Sequence, residues 1–257
     1  HNTVAGLKYD AVIIDEAGQA LEPACWIPIL KSEKVILAGD HCQLPPTIKS
    51  EEAAKSGLNK TLLEKCASRY PDSVSLLKEQ YRMNQKIMSY SSKVFYHGQL
   101  KAAPSVADQL LFETDLPVLF LDTVGCSYNE EPDGTSVKNP EEGKFVVDQL
   151  KFKEQNKKLP DIAIIAPYRQ QVLLMQELLD KNEQLKMFAP FISVNTVDSF
   201  QGQERDIVYI SMTRSNDKNE IGFLADIRRM NVAMTRAKKK LVVIGDSGTV
   251  STHKFYK

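Results

Sequence analysis

Ala11-Val12-Ile13-Ile14-Asp15-Glu16-Ala17-Gly18-Gln19 is the stretch that decides the fold of this chain. Four apolar residues without polar alternation predict a strand buried on both faces of a parallel sheet, and polar residues follow at once. A second apolar run, residues 35–38, leads in the same way into Gly39-Asp40-His41-Cys42-Gln43-Leu44-Pro45-Pro46. Ligands of open α/β sheets bind beyond the carboxyl ends of the strands, so both polar clusters are predicted to lie at one functional edge.

Paired carboxylates at a strand end are suited to nucleotide hydrolysis. Asp15 can hold a hydrated Mg²⁺, Glu16 can orient or deprotonate an attacking water, and Gln43 can contact a terminal phosphate. An acidic pair after a strand is also a common helix N-terminal cap, and for Asp15-Glu16 alone the two interpretations are equally supported. The second cluster, in the matching position, favours the nucleotide site.

Length and composition limit the possible functions. A chain of 257 residues is long enough for one large or two small domains. Its 33 basic and 33 acidic residues cancel, so any nucleic-acid surface must be local. The four cysteines and four histidines lack metal-ligand spacing, which indicates reduced thiols and no zinc site. An 18-residue apolar segment and a signal peptide are both absent, so the default prediction is a cytoplasmic protein without a membrane partner.

Strand-like and helix-like segments alternate along the chain, which predicts an α/β fold. The helical pattern of residues 58–70 ends at Pro71-Asp72, so domains are predicted at 1–72 and 73–257. Residues 123–140, which contain two glycines and two prolines, are predicted to form an exposed loop. The second part has predicted strands at 74–77, 118–121, 162–166, 192–194, 207–212 and 241–244, and predicted helices at 85–95, 141–155, 170–181 and 226–237.

Two more polar clusters follow strand-like runs in the second part. Gln80-Tyr81-Arg82-Met83-Asn84 contains an arginine whose planar fork suits a phosphate, and Asn84 is placed to cap the next helix. The alternative for Arg82 is a structural ion pair. The string NTVDSFQGQE, residues 195–204, combines hydroxyls, a glycine and backbone amides that suit a phosphate or a ribose. An ordinary strand-to-helix turn explains only part of this string.

Residues 228–245 contain no acidic residue. Arg229 and Arg236 lie seven residues apart, so on one helix they share a face, and that face is placed to aim at a phosphate. The plainer interpretation is a solvated basic helix end that complements its own dipole. The flanking string NVAMTRA, residues 231–237, favours the interpretation in which these arginines aim at a phosphate.

The strings DEAGQ, GDHCQLPP, QYRMN, NTVDSFQGQE and NVAMTRA occur in the order and approximate spacing of motifs II to VI of superfamily 1 helicases. The chain most resembles the group of up-frameshift RNA helicases and the immunoglobulin mu-binding protein 2 helicase. The resemblance covers nearly the whole chain. It implies a RecA-like P-loop NTPase fold with a parallel sheet flanked by helices, in which the end of one RecA-like domain precedes a second RecA-like domain.

The resemblance also implies roles in ATP hydrolysis. Asp15 would bind Mg²⁺, and the catalytic residues would be Glu16 as the base, Gln43 at the γ-phosphate, and Arg82 and Arg236 as arginine fingers. The nucleotide would be contacted by four residues: Asp40, Tyr81 against the adenine, Gly202 close to the γ-phosphate, and Glu204 on the ribose.

Single-stranded DNA or RNA is the partner that the resemblance implies. Thr196 and the stretch Pro167-Tyr168-Arg169 would line a channel and contact the nucleic-acid backbone, which makes binding sequence-independent and salt-sensitive. For Tyr168-Arg169 a helix-start turn is an equally supported interpretation. The strings depart from those of relatives at Gly18 and Asn84, where we expect at most an effect on nucleic-acid preference or tuning.

One motif that a helicase needs is absent from the 257 residues. The sequence contains no GxxxxGK[ST], and its Gly143-Lys144 pair is followed by Phe145. That loop cradles the phosphates and completes the Mg²⁺ shell. Family architecture places it before DEAGQ, which implies a C-terminal fragment that is inactive alone and whose partner is the N-terminal RecA-like segment of the same protein. The prediction is therefore an ATP-dependent helicase or translocase; the alternatives are a RecA-like binding module and a P-loop ATPase that does not separate strands.

Overall fold

The computed structural model describes residues 5–150 and 159–257. The chain divides into two compact units, one ending at Leu76 and the other beginning at Leu77. Among the described residues, no helix has both the length and the apolar character needed to cross a bilayer.

The first unit contains two parallel strands, β1 (Tyr9–Ile14) and β2 (Ser32–Leu37), joined through helix α1 (Glu22–Ile29). Parallel neighbours need such a crossover because the chain must return to the same end of the sheet. Both predicted strands are confirmed. Four further helical segments follow them: α2 (Glu51–Ala53), a π-helical turn (Ala54–Leu58), α3 (Leu62–Arg69) and a 3₁₀ turn (Pro71–Ser73).

Helix α3 begins four residues later than its apolar pattern predicted. Thr61 forms a capping box: its hydroxyl accepts a hydrogen bond from the Glu64 amide at 3.2 Å, and the Glu64 carboxylate accepts one from the Thr61 amide at 2.7 Å. A capping box satisfies two amides that have no partner inside the helix. It therefore defines the first turn more strongly than the apolar pattern that begins at Leu58.

The prediction that β1 and β2 are buried on both faces is wrong for the described residues. Ile13, Val35 and Ile36 are 67%, 44% and 53% exposed. The two strands form a sheet of their own, and α1 contacts both of them. Two strands and one short helix cannot cover two apolar faces, so these side chains lie in water.

The second unit contains most of the secondary structure. Its strands are β3 (Glu79–Gln80), β4 (Lys101–Ala102), β5 (Val118–Asp122), β6 (Glu131–Asp133), β7 (Ser136–Lys138), β8 (Ile162–Ala166), β9 (Ile192–Thr196), β10 (Arg205–Ser211) and β11 (Ala237–Gly245). Its α-helices are α4 (Gln85–Phe95), α5 (Pro104–Ala107), α6 (Pro140–Asp148), α7 (Arg169–Lys181), α8 (Ile227–Met234) and α9 (Ser247–Val250).

A five-stranded parallel sheet in the order β5-β11-β10-β8-β9 forms the core of this unit. Every residue of β8 is buried, as its unbroken apolar run predicted. Ile164 lies in a cluster with Val146 of α6 and Met175 of α7. The neighbouring residue Ile165 faces the other side of the sheet, beside Ala233 of α8. Helices therefore cover both faces, and the predicted α/β class is confirmed.

Most of the predicted elements of the second unit are confirmed. The five strands of the main sheet lie within four residues of their predicted limits, and β8 has the same limits as its prediction. Helix 85–95 is reproduced by α4, and helix 170–181 begins one residue early. Helix 226–237 ends at Met234, and helix 141–155 ends at Asp148, with residues 151–155 outside the described residues.

Two predictions for the second part are wrong. Residues 74–77 form no strand; they follow a 3₁₀ turn (Pro71–Ser73), and Leu77 is exposed, because no neighbouring strand pairs with them among the described residues. The segment 123–140 is more than a loop, since it contains the antiparallel hairpin β6–β7. Its turn uses Gly134, whose φ of 62° lies in the left-handed region that glycine adopts without a Cβ clash.

Candidate functional site

The two motif junctions of the first unit fit together backbone against backbone. The Ala17 amide donates to the Ala38 carbonyl at 2.8 Å. A Cβ on Gly18 would lie 2.6 Å from the carbonyl oxygen of Asp40, and a Cβ on Gly39 would lie 2.8 Å from the amides of Ala17 and Gly18. Glycine is therefore a steric requirement at both positions. From the sequence we expected Gly18 to affect at most nucleic-acid preference or tuning. The sequence does not show that this glycine packs against the backbone of Asp40.

Asp15 and Glu16 are exposed on a turn directly after β1. One Asp15 oxygen accepts the Glu16 amide at 2.9 Å, and the Gln19 side-chain amide donates to Glu16 at 2.9 Å. Glu16 has a φ of 51°, a left-handed conformation that is uncommon outside glycine. The helix-cap interpretation of this pair is wrong, since α1 begins at Glu22 and its N-cap residue is Leu21.

Asp40 organises the second junction through both of its carboxylate oxygens. Oδ1 accepts the Cys42 amide at 2.9 Å, and Oδ2 accepts the side-chain amide of Gln43 at 2.9 Å. The next residue, Leu44, is buried and anchors the segment. The Gln43 side chain is thus oriented by a carboxylate on the same turn.

The donor set of the first unit fits Mg²⁺ at Asp15. Mg²⁺ prefers hard oxygen ligands, keeps several waters and is commonly held by one or two carboxylates. Within the described residues, the second Asp15 oxygen makes no hydrogen bond, and the side chain is exposed to water.

Arg82 lies where three motif strings of the second unit meet. Its Nε donates to Glu204 Oε2 at 2.7 Å, and its Nη1 donates to the Thr235 carbonyl at 3.1 Å. Lys238 Nζ lies 3.8 Å from the other Glu204 oxygen. The hydrogen bond from Arg82 is the main cause that lowers the pKa of Glu204 below its ordinary value. Sequence reasoning singled out both residues but did not pair them.

The turn that carries Arg82 is built by the side chains on either side of it. Gln80 Oε1 accepts the amides of Arg82 and Met83 at 2.8 and 2.7 Å. Asn84 caps α4 by accepting the Lys86 amide at 2.8 Å, as its position predicted. Tyr81 is 69% exposed, and a hydrogen bond with Glu79 raises the pKa of its hydroxyl.

Arg236 is buried, and the prediction that it shares a helical face with Arg229 is wrong. Helix α8 ends at Met234, and the Thr235 hydroxyl bonds back to the Asn231 carbonyl at 2.8 Å. Arg236 follows in a turn, where its guanidinium donates to Val232 O at 3.0 Å, Thr235 Oγ1 at 3.2 Å and Gln203 O at 3.4 Å.

The acid-free run is neutralised by carboxylates from outside it. Arg229 pairs with Asp198 at 2.6 Å, and Lys239 pairs with Asp206 at 3.1 Å. Arg228 pairs with Asp226, Lys238 lies 3.8 Å from both Glu204 and Asp206, and Lys240 pairs with Asp115. A surplus of positive charge in the sequence is therefore not a free basic face in the fold.

Gly202 and Thr196 belong to the segment between β9 and β10. Gly202 has a φ of 78°, and a Cβ there would meet no atom within 4 Å, so the backbone conformation rather than space favours glycine. Thr196 ends β9 with its hydroxyl 3.2 Å from that of Ser199. Phe200 is fully buried beneath the guanidinium of Arg205 and anchors the turn.

Tyr168 begins α7 as its N-cap residue and is buried. Its hydroxyl accepts hydrogen bonds from Arg214 Nη1 and from the Phe223 amide, both at 3.1 Å. The neighbouring Arg169 is exposed and Pro167 is half-buried. The position of Tyr168 agrees with the helix-start interpretation. Its buried side chain holds the loop before α8.

Sequence reasoning missed an ion pair beside Tyr168 that joins the buried Arg214 to the half-buried Glu130. Arg214 Nε donates to Glu130 Oε2 at 2.8 Å, and the same oxygen accepts the Ser215 amide at 2.9 Å. A Cβ on Gly222 would lie 2.2 Å from the Tyr168 hydroxyl. Glu130 lies in the segment that was predicted to be an exposed loop, so no pattern in the sequence identified it as a partner for Arg214.

Sequence reasoning also missed a buried carboxyl group in α6. Glu142 accepts the Ser211 hydroxyl at 2.5 Å and the Thr213 amide at 2.8 Å through one oxygen, while the other oxygen has no partner among the described residues. Burial raises the pKa of Glu142 to about 7. Thr213 has a φ of 70°, which is unusual for a β-branched residue, and this hydrogen bond helps to hold it there.

The comparison with known families agrees with the sheet and the motif geometry. A family model described as an AAA domain matches residues 58–248, and a second with the same description matches residues 1–51. The chain belongs to the superfamily 1 helicases. Within that superfamily it falls in the group of the up-frameshift, DNA2 and immunoglobulin mu-binding protein 2 helicases. The expected RecA-like fold is confirmed.

Curated relatives match almost the whole chain but extend well beyond it. DNA-binding protein SMUBP-2 of Rattus norvegicus is 45% identical over 263 residues, covering 97% of this chain and 26% of the relative. DNA polymerase alpha-associated DNA helicase A of Saccharomyces cerevisiae is 38% identical over 265 residues, covering 93% and 38%. Among solved structures, the PRRSV helicase covers 93% of this chain and 36% of its own with 15% identity and a TM-score of 0.47; a likeness at that level does not bear on function.

Proposed function

We propose that this chain is part of an ATP-dependent helicase or translocase that couples ATP hydrolysis to movement along single-stranded DNA or RNA. The observation that carries the proposal is the convergence of Arg82, Glu204 and Arg236 in the second unit. These residues come from three separate motif strings of the helicase family. A protein that only bound nucleic acid would have no chemical need for this set.

The first unit supplies the groups that activate water in this proposal. Glu16 is the general base, and Asp15 holds Mg²⁺, which neutralises phosphate charge when it is bound. The left-handed backbone of Glu16 supports this role, because strained conformations persist where the surrounding structure has a use for them. Gln43, oriented by Asp40, contacts the γ-phosphate.

The second unit supplies the cations and the nucleotide contacts. Arg82 and Glu204 are paired, so ATP binding requires an exchange in which Glu204 turns to the ribose and Arg82 to the γ-phosphate. Their side chains are 32% and 45% exposed, and pairs of this kind contribute only about 0–1 kcal/mol, so the exchange is inexpensive. Arg236 joins as the second arginine finger by releasing its hydrogen bond to Gln203 O, which is longer, at 3.4 Å, than its bonds to Val232 O and Thr235 Oγ1. Tyr81 lies against the adenine, and Gly202 lets the backbone approach the γ-phosphate.

Nucleic acid is bound through its backbone in this proposal. Arg169 and Thr196 contact phosphates at the carboxyl ends of β8 and β9, with Pro167 beside them, while the buried Tyr168 positions the adjoining loop. Contacts of this kind are insensitive to base sequence and weaken as salt rises. A cytoplasmic location and the division into domains 1–72 and 73–257 belong to the same proposal.

The phosphate-binding loop that this reaction needs comes from outside the 257 residues in our proposal. The sequence holds no GxxxxGK[ST], and the matched relatives are about two and a half to four times as long as the matched region. The exposed side chains of Ile13, Val35 and Ile36 support the same idea, because further chain packed on β1 and β2 would bury them.

The experiment that tests this function is ATP hydrolysis with and without single-stranded DNA and single-stranded RNA. It compares the 257-residue chain with the protein extended to include a GxxxxGK[ST] loop. We expect strand-stimulated hydrolysis by the extended protein only. Glu16→Gln should slow hydrolysis by about 10²–10⁴-fold without weakening ATP binding. Glu33→Gln, an exposed glutamate on β2, is the matched control and should change neither.

Any of three results would contradict this function or part of it. Near-normal hydrolysis by Glu16→Gln would remove Glu16 as the base. An extended protein that binds nucleic acid but does not hydrolyse ATP would favour the RecA-like binding module, and hydrolysis without unwinding or translocation would favour a different P-loop ATPase.

A further inference from the structure

Three consecutive residues of the second junction bring three different metal-ligating atoms together. The Asp40 carboxylate, the His41 imidazole and the Cys42 thiol each offer one such atom, and all three atoms lie within 4.8 Å of one another. Ligands around one tetrahedral Zn²⁺ are separated by roughly 3.3–3.8 Å, as follows from metal–ligand bonds of about 2.0–2.3 Å. Side-chain rotations that bring the ligand atoms closer together by about an ångström would therefore let the set close on an ion.

The backbone that presents these ligands is held in place from two sides. Asp40 Oδ1 accepts the Cys42 amide at 2.9 Å, which fixes the turn. Gly39 packs against the amides of Ala17 and Gly18 so closely that a Cβ would not fit. The backbone that carries the ligands is therefore organised before any ion arrives, which lowers the conformational cost of binding.

The mixture of oxygen, nitrogen and sulfur selects the kind of ion. Mg²⁺ takes an octahedral shell of oxygens, so this set does not suit the ion expected at Asp15. Zn²⁺ and its spectroscopic substitute Co²⁺ accept carboxylate, imidazole and thiolate together. His41 is exposed, and Asp40 and Cys42 are half-buried, so water can complete a fourth position.

We propose that Asp40, His41 and Cys42 form a binding site for one borderline-soft divalent cation of the Zn²⁺ type. The prediction of no zinc site rested on spacing along the sequence, and consecutive ligands fall outside the usual spacings. The site overlaps a functional contact, because Asp40 Oδ2 also accepts the Gln43 side chain at 2.9 Å. An ion on Asp40 competes for that carboxylate and loosens Gln43. This consequence for hydrolysis, unlike the site itself, rests on the proposed function.

The experiment is a titration of the reduced 257-residue chain with Co²⁺, followed by the thiolate-to-cobalt charge-transfer band in the near ultraviolet and then by displacement with Zn²⁺. We expect one Co²⁺ per chain. Cys42→Ser should abolish the band. His41→Asn, a change at an exposed residue, should lower the affinity for Co²⁺ by at least about 10–100-fold, because loss of even an outer-shell partner of a metal lowers affinity by that factor. Cys126→Ser removes another exposed thiol and is the matched control, which should titrate like the unaltered chain.

A titration without a thiolate band overturns the proposal. So does a band that survives Cys42→Ser, or an affinity that His41→Asn leaves unchanged. Because this measurement needs no ATP, its outcome is independent of the proposed function. In the extended protein, Zn²⁺ should slow hydrolysis, and the His41→Asn variant should resist it. Equal inhibition of both proteins would overturn the link to Gln43 while the Co²⁺ result would still decide the site.

Discussion

The two units hold their motif residues by different physical means. In the first unit, Asp15 and Glu16 are exposed on a turn whose shape depends on the close backbone approach of Gly18 and Gly39. In the second unit, Arg82 is held by a carboxylate and a carbonyl group that come from distant parts of the chain. The first arrangement is steric and the second is electrostatic.

This difference determines which changes each unit tolerates. A backbone-to-backbone fit is sensitive to one added methyl group and indifferent to salt. An ion pair tolerates changes of volume, but its strength depends on exposure: the Arg82–Glu204 pair is partly in water, whereas Arg214 and Glu130 are only 8% and 15% exposed. Of these two pairs, the exposed one can exchange partners at little cost in free energy and the less exposed one cannot.

Arg82→Ala should have the largest effect of any of these substitutions, and the effect should be on rate. If Arg82 is an arginine finger, hydrolysis by the extended protein should fall by roughly 10³-fold or more. The free energy of unfolding should fall by about 1 kcal/mol or less, because the Glu204 partner stays hydrated. Arg228→Ala, which breaks another partly exposed pair, is the control and should leave the rate unchanged. A similar rate for both variants would make Arg82 a purely structural residue.

Arg214→Met should have the opposite profile, with a large loss of stability. It leaves Glu130, whose side chain is only 15% exposed, without its arginine partner, and such losses reach about 3–5 kcal/mol where the remaining charge is buried. Urea denaturation of the 257-residue chain measures this loss. The double variant Arg214→Met, Glu130→Gln should recover part of it, since the uncompensated charge is gone. A cost below that of Arg82→Ala would erase the distinction between the two pairs.

Glu142 should make stability depend on pH within the second unit. The pKa of Glu142 is about 7 in the folded chain, whereas the ordinary value, which applies to the unfolded chain, is 4.5. Between pH 4.5 and pH 7 the unfolded chain therefore releases a proton that the folded chain keeps. The stabilisation is complete below pH 4.5 and is lost as pH rises to about 7, by about 3 kcal/mol in total. Denaturation at pH 5 and pH 8 should show Glu142→Gln gaining stability relative to the unaltered chain as pH rises. The control is Glu141→Gln, a change at the exposed neighbour, whose stability should follow that of the unaltered chain at both pH values. If stability changed with pH in parallel for all three proteins, Glu142 would not be the source of the pH dependence.

Gly18→Ala should have the smallest of these effects and should be confined to the first unit. The new methyl group would lie 2.6 Å from the Asp40 carbonyl oxygen, and relieving such a clash costs about 1–3 kcal/mol. Gly6→Ala, where a Cβ meets no atom within 4 Å, is the matched control. Local hydrogen exchange at residues 17–43 is the measurement. Equal protection in both variants would show that the junctions are not held together by this fit.

The sequence predicted elements well where burial gives a clear pattern. The unbroken apolar run of β8 has one solution in a parallel sheet, and the Asn84 cap of α4 is a local device that needs no distant partner. It predicted poorly where a boundary depends on side chains that compete with the pattern. The end of α8 is such a case, because Thr235 bonds back to Asn231 and turns Arg236 away from the helix.

Candidate residues were likewise found one by one, but their pairings were not. The order of the strings identified Arg82 and Glu204, which are 122 positions apart, and nothing local in either string reports that they touch. Glu130 and Glu142 belong to no string at all. Their importance comes from burial, and the burial of a glutamate cannot be read from its immediate neighbours.

What the sequence by itself determined is the order of its main strands and helices, its membership of a helicase family, and the residues that we propose for the chemistry, because periodicity and motif order are properties of the chain. Only the tertiary structure decided how the charges are matched. Residues 228–245 read as a basic surface, yet Asp115, Asp198, Glu204 and Asp206 come from elsewhere in the chain to neutralise them. The physical reason is that Coulomb energy depends on distance in space and on exposure to water, and the fold sets both.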